Sequence, residues 1–97
     1  MDAVVVMGLT EPYLEVTFCR GRALAAYYYL PRRAGDRAVR TERRPAGLMI
    51  DFACGGRAIG IEITAPFRVS LTAINRVLRS VGQPPVSRSE LSPVLAA

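Results

Sequence analysis

The chain has 97 residues, 51% apolar and 22% charged, which suits one domain with a single core and excludes disorder throughout. No apolar run approaches the roughly 20 residues that cross a bilayer, and Asp2 stands where a secretion signal needs basic residues, so a cytoplasmic chain without membrane contact is expected. Histidine is absent, and Cys19 and Cys54 form no CxxC pair, which closes the structural-zinc class. The net charge of +5 rests on 13 basic residues, all arginine. Arginine without lysine suits bidentate recognition of phosphate or carboxylate, but GC-rich codon usage gives the same bias, and the abundant alanine favours that explanation.

Residues 1–12 read as an arm or an extra strand ahead of a single domain over 13–82, followed by a proline-containing tail over 83–97. Tyr13-Leu14-Glu15-Val16-Thr17-Phe18-Cys19-Arg20 alternates with period two, as a half-buried strand does. A turn at Arg20-Gly21-Arg22 brings back a second strand from Ala23 to Leu30, pairing Phe18 with Leu24, Val16 with Ala26 and Leu14 with Tyr28. Pro31 ends it, and residues 31–37 form an exposed loop. A polar edge strand is expected from Ala38 to Arg44, with Val39 and Thr41 facing inward.

Leu48 to Ile63 carries the strongest signal. Two alternating apolar runs flank Gly55-Gly56, so the segment reads as an antiparallel hairpin. A two- or four-residue loop pairs Phe52 with Ile59, Ile50 with Ile61 and Leu48 with Ile63. A three-residue loop would scatter them over both faces.

The period then changes. Ser70 is a candidate N-cap, and Leu71, Ile74, Val77, Leu78 and Val81 form one helical stripe ending at Gly82. Ser87 and Glu90 offer a capping box ahead of Leu91 and Val94, and Pro93 limits any helix there to a turn or two. The tail either docks, frays or reaches a neighbouring copy. The expected fold class is α+β: an antiparallel β-meander of about five strands with one C-terminal helix packed on one face.

Gly47-Leu48-Met49-Ile50-Asp51-Phe52, followed by Arg57-Ala58-Ile59-Gly60-Ile61-Glu62-Ile63, resembles the bacterial and archaeal family called domain of unknown function 2283. Members read as an opening strand, a polar middle, Gly-apolar-apolar-apolar-Asp-apolar, an acidic turn, and Gly-apolar-Glu-apolar. This chain has Cys54-Gly55-Gly56 at that turn, and of the opening motif it keeps only Tyr13. The resemblance implies a small α+β sheet protein with no established activity, and an antitoxin-like role for part of the family.

The residues themselves offer four candidate features. The outer face of the sheet should carry Tyr13, Tyr27, Tyr29, Met49, Asp51 and Glu62, an aromatic mixture typical of interfaces rather than of a solvated face. Arg32, Arg33, Arg37, Arg40, Arg43 and Arg44 form a basic run able to contact a polyanion or an acidic protein partner, with nucleic acid the weaker candidate. Asp51 and Glu62 could share a cation or a proton, yet they lie diagonally and have no histidine or nucleophile beside them. Cys54 near Arg57 could be an activated thiol, against the simpler role of a turn residue. The expectation is a non-enzymatic binding protein without cofactor or metal, homodimeric through the outer face. The alternative is a regulatory or antitoxin-like protein that contacts a partner through residues 32–44.

Overall fold

In chain order the elements are β1 (Asp2–Met7), β2 (Tyr13–Cys19), β3 (Arg22–Tyr29), β4 (Arg40–Arg44), β5 (Leu48–Phe52), β6 (Ala58–Ile63), α1 (Leu71–Ser80) and α2 (Arg88–Leu91). They come from a computed structural model that describes residues 2–7, 12–92, 94 and 95; the side chains of 2–7, Ala46 and Phe67 fall outside that description, as does Pro93. The N-terminal segment is an extra strand over residues 2–7, paired antiparallel with β2.

Both hairpins form where expected, and each contains a correction near its turn. Arg20 and Gly21 have φ of 53° and 78°, the left-handed pair that a two-residue hairpin turn requires. Beyond it Leu14 faces Tyr28 and Val16 faces Ala26, but Phe18 faces Ala23 rather than Leu24 because the register shifts between Thr17 and Phe18. Leu24 is the extra residue of this bulge, and it points outward, 53% exposed, instead of joining the core.

In the second hairpin Leu48 faces Ile63 and Ile50 faces Ile61, while Phe52 faces Ala58 rather than Ile59. The Gly56 N–H donates to the Ala53 carbonyl (3.0 Å) and the Ala53 N–H to the Arg57 carbonyl (2.9 Å). The loop is therefore the three residues Cys54-Gly55-Gly56. Such a loop alone would turn Ile61 outward; the extra residue at Ile59 restores its phase.

The sheet has six strands in the order β1-β2-β3-β6-β5-β4, all neighbours antiparallel. It is thus two three-stranded meanders side by side. The connection between them crosses the tip of the β5–β6 hairpin, where the Leu30 N–H bonds the Ile59 carbonyl (3.2 Å) and the Val39 N–H bonds the Phe52 carbonyl (2.9 Å).

Edge strand β4 has the opposite phase from that expected. Arg40 pairs with Phe52 and Thr41 with Asp51, so Thr41 faces outward, and Val39, before the strand, is 58% exposed. The Phe52 ring sets this phase. The Arg40 guanidinium lies 4.1 Å from its centroid, and the side chain covers an apolar surface that would otherwise meet water.

One face of the sheet is roofed. The Ser70 hydroxyl accepts from the Ala73 N–H (3.1 Å) and starts α1, which buries Ile74, Val77 and Leu78. The Ser87–Glu90 capping box forms at α2, and Leu91 and Val94 complete the same core as Leu14, Val16, Ile50 and Ile61. Asn75 ties the tail down: its Nδ2 donates to the Val86 carbonyl (3.1 Å) and its Oδ1 accepts from the Val86 N–H (2.8 Å). Val86, Leu91 and Val94 of the tail therefore dock on the chain's own core. Among the described residues no helix lies on the opposite face.

Candidate functional site

Register sets the layout of that open face, since adjacent strands lie about 4.8 Å apart and side chains alternate. One cross-strand row reads Glu15, Tyr27, Glu62, Met49 and Arg43; the next reads Tyr13, Tyr29, Gly60, Asp51 and Thr41. Tyr13, Tyr27, Tyr29, Met49, Asp51 and Glu62 are thus brought together on one surface, each half-buried. Asp51 lies opposite Gly60, so Asp51 and Glu62 are diagonal neighbours.

Gly60 shapes the centre. A Cβ there would lie 2.0 Å from the Tyr27 hydroxyl and 2.3 Å from its ring carbons. The missing side chain is a trough through which Tyr27 reaches across β6 to donate to Asp51 Oδ2 (2.7 Å). Thr41 donates to the other carboxylate oxygen, Oδ1 (2.6 Å), so two side-chain bonds join β3, β5 and β4 across the intervening β6. Arg32 returns from the crossing loop onto this face: Nη2 donates to the Tyr27 hydroxyl (3.1 Å) and Nε to the Ile59 carbonyl (3.2 Å). Its guanidinium lies 4.9 Å from the Tyr29 ring centroid.

The tyrosines form a stack. Tyr13 and Tyr29 are offset-parallel at 4.3 Å and 14°, and Tyr27 meets Tyr29 edge-on at 4.6 Å and 62°. Burial, reinforced by the Asp51 carboxylate, pushes the Tyr27 phenol well above its ordinary range, and burial with Glu15 nearby raises Tyr29. Both hydroxyls therefore remain donors at neutral pH. The surface offers stacking and hydrogen bonding rather than a group poised to exchange protons. Among the described residues no cluster of three or more acidic or cysteine side chains is placed to hold a metal ion.

The arginine run does not make a continuous strip. Arg40 and Arg44 both donate to Glu42, whose carboxyl they hold below its usual range. With Arg57 and Phe52 they line an open cavity of about 430 Å³ against the C-terminal end of α1. Exposed pairs of this kind add little stability, and the helix-end carbonyls with Glu42 offset much of the positive charge. Arg32 belongs to the tyrosine surface. Arg33, Arg37 and Arg43 are the exposed members of the run whose side chains make no ion pair among the described residues.

Arg57, in the same turn as exposed Cys54, is committed to Asp36 through Nη1 (2.8 Å) and Nη2 (2.9 Å). Asp36 Oδ2 also accepts from the Arg33 N–H (2.7 Å), and Arg57 with this N–H lowers its carboxyl from near 3.8 to about 2. A carboxyl depressed on folding stabilises the fold above its unfolded value and loses that contribution as pH falls through its folded value. The latch between crossing loop and hairpin tip should thus weaken between about pH 4 and pH 2. In an NMR titration Asp36 should have its midpoint near 2, and Arg57→Ala should move it up toward 3.8. An unchanged midpoint in the variant would remove Arg57 as the cause.

The fold and surface together define a class: an α+β protein with one roofed sheet face and one open, tyrosine-rich face. No family model, curated protein or solved structure matches the chain. Reasoning from sequence placed the six surface residues together but missed the Tyr27–Asp51–Thr41 bonds and the turn of Arg32 onto them. The available signal was Gly60, the one position without a side chain on the outer side of a strand that otherwise reads as continuous apolar and acidic residues.

Proposed function

We propose that this chain is a non-enzymatic interaction protein that self-associates through its open sheet face. The observation that carries the reading is the Tyr13–Tyr29–Tyr27 stack, anchored by the bond from Tyr27 to the Asp51 carboxylate, with half-buried Met49 in the same row beyond Glu62, on a face that no described helix covers. Tyrosine and methionine are enriched in interfaces, and monomers rarely leave large contiguous apolar patches in water. Rigid aromatic groups also lose little conformational entropy on binding, which suits them as anchors. The resemblance of residues 47–63 to the domain of unknown function 2283 family supports the sheet and brings no activity with it. A cytoplasmic setting rests on the sequence, and among the described residues no helix is long and apolar enough to cross a membrane.

The alternative is docking of a regulatory or antitoxin-like kind, and it draws on Arg33, Arg37 and Arg43. It asks less of the geometry and explains none of the tyrosine surface. Sedimentation velocity over a concentration series tests the first reading. The parent chain should associate, and Tyr29→Asp should weaken association at least tenfold while its circular dichroism stays unchanged. A parent that remains monomeric at high concentration overturns the proposal.

A further inference from the structure

The open face is divided. Its tyrosines lie on β2 and β3, and Gly60, Asp51, Glu62 and Met49 lie on β5 and β6. The boundary runs between β3 and β6, which is the middle of the six-stranded sheet. A surface whose two halves differ and complement each other about its own midline is the requirement for a two-fold interface, in which the same patch serves both partners.

Resting on the self-association proposed above, we infer that the occupant of this face is a second copy, packed sheet on sheet about a two-fold axis that runs along the strands between β3 and β6. Each β2 then lies over the β5 of the second copy, and each β3 over its β6. Register decides what meets. Tyr27 faces Glu62 of the second copy, and Tyr13 faces its Asp51. Tyr29 faces its Gly60, and Glu15 faces its Met49. The Tyr13 hydroxyl then meets the Asp51 carboxylate of the second copy, while the Tyr27 proton stays with Asp51 of its own chain and the Gly60 trough stays filled by Tyr27.

Three observations favour this occupant over an unrelated partner. The Tyr13 hydroxyl has no hydrogen-bond partner among the described residues, so a donor stands open on one half, and the register sets it against the Asp51 carboxylate on the other. Glu15, Thr17, Ala25, Tyr27 and Glu62 enclose a shallow recess of about 130 Å³, beside the position that Met49 of the second copy would take. Methionine is the side chain best able to fill an irregular hollow. The molecule measures 38 × 26 × 21 Å, so its broad side is large enough for the roughly 800 Å² per partner of a standard interface. Aligned sheets pack about 10 Å apart at about 30°, which keeps the pairs near the axis opposed.

The Glu15–Met49 pairing gives the decisive experiment. Within one chain these residues are three strands apart, about 14 Å, so neither can compensate for the other except across a dimer. Met49→Glu places carboxylates in opposition at both ends of the interface and should weaken association at least 100-fold by sedimentation equilibrium. Adding Glu15→Arg to the same chain should restore it to within about tenfold of the parent, because each introduced guanidinium then faces an introduced carboxylate. Met49→Lys, with Glu15 retained, should associate at least as tightly as the parent, and it serves if Met49→Glu does not fold. Loss with Met49→Glu and no recovery with Glu15→Arg overturns this arrangement while leaving the open face as the interface. Loss with Met49→Lys also overturns it. A monomeric parent removes the self-association reading itself.

Discussion

Ile61→Ala should cost about 2–5 kcal/mol of folding free energy, while Glu62→Ala next to it should change stability by less than about 0.5 kcal/mol. Ile61 is 0% exposed, lies on a central strand and faces Ile50, so truncation opens a cavity where neither sheet nor helix can relax to fill it. Glu62 is half-buried on the other face and has no ion-pair partner among the described residues. In a domain of this size each kcal/mol shifts the melting temperature by about 4–8 °C. The Ile61 variant should therefore melt at least 8 °C lower and the Glu62 variant close to the parent, both at protein concentrations low enough to exclude association. Equal losses would show that residues 58–63 do not have one inner and one outer face.

Gly60→Ala should destabilise despite adding a side chain to a strand. Replacing glycine within a strand ordinarily gains about 0.5–1 kcal/mol by restricting the unfolded chain. Here the new methyl would occupy the trough filled by Tyr27, 2.0 Å from its hydroxyl. The ring must swing away, which breaks the bond to Asp51 and uncovers a carboxylate, a loss of about 1.5–3 kcal/mol for a charged acceptor. The loss exceeds the gain, and a net destabilisation of about 1–2 kcal/mol follows. The diagnostic is a double-mutant cycle by chemical denaturation. In a Tyr27→Ala background the clash is gone, so Gly60→Ala should be neutral or stabilising. The same loss in both backgrounds would mean that the trough plays no part.

Much of this architecture could be read directly from residue spacing. The alternation of Leu48, Ile50 and Phe52 against Ile61 and Ile63 identified the core face, and Ser70 with the Leu71–Val81 stripe located the helix to within a residue. Ser87 and Glu90 marked the second cap. What escaped were irregularities that depend on tertiary balance. Leu24 looks like a core residue by period, yet the bulge that ejects it arises where the tight Arg20-Gly21 turn must match the twist of two longer strands. The three-residue Cys54–Gly56 loop and the extra residue Ile59 compensate each other, so the outcome imitates a simpler hairpin. Val39 and Thr41 follow apolar-in reasoning in vain, because an edge strand next to Phe52 uses an arginine stem as its cover. On the open face the membership was legible and the bonding was not. Period two assigns a side but says nothing about a tyrosine crossing one strand to reach the next.

The docking of Leu91 and Val94 under the sheet has a consequence during synthesis. Every strand has left the ribosome before the last apolar plugs do, so the nascent chain holds a sheet whose greasy underside lacks part of its lid. Segments of that kind are where non-native sticking begins. Truncation ahead of Leu91 would therefore be felt as poor yield of folded product rather than as a modest fall in melting temperature. The Asn75 bracket, which grips the incoming tail at Val86, is the piece that shortens this vulnerable interval.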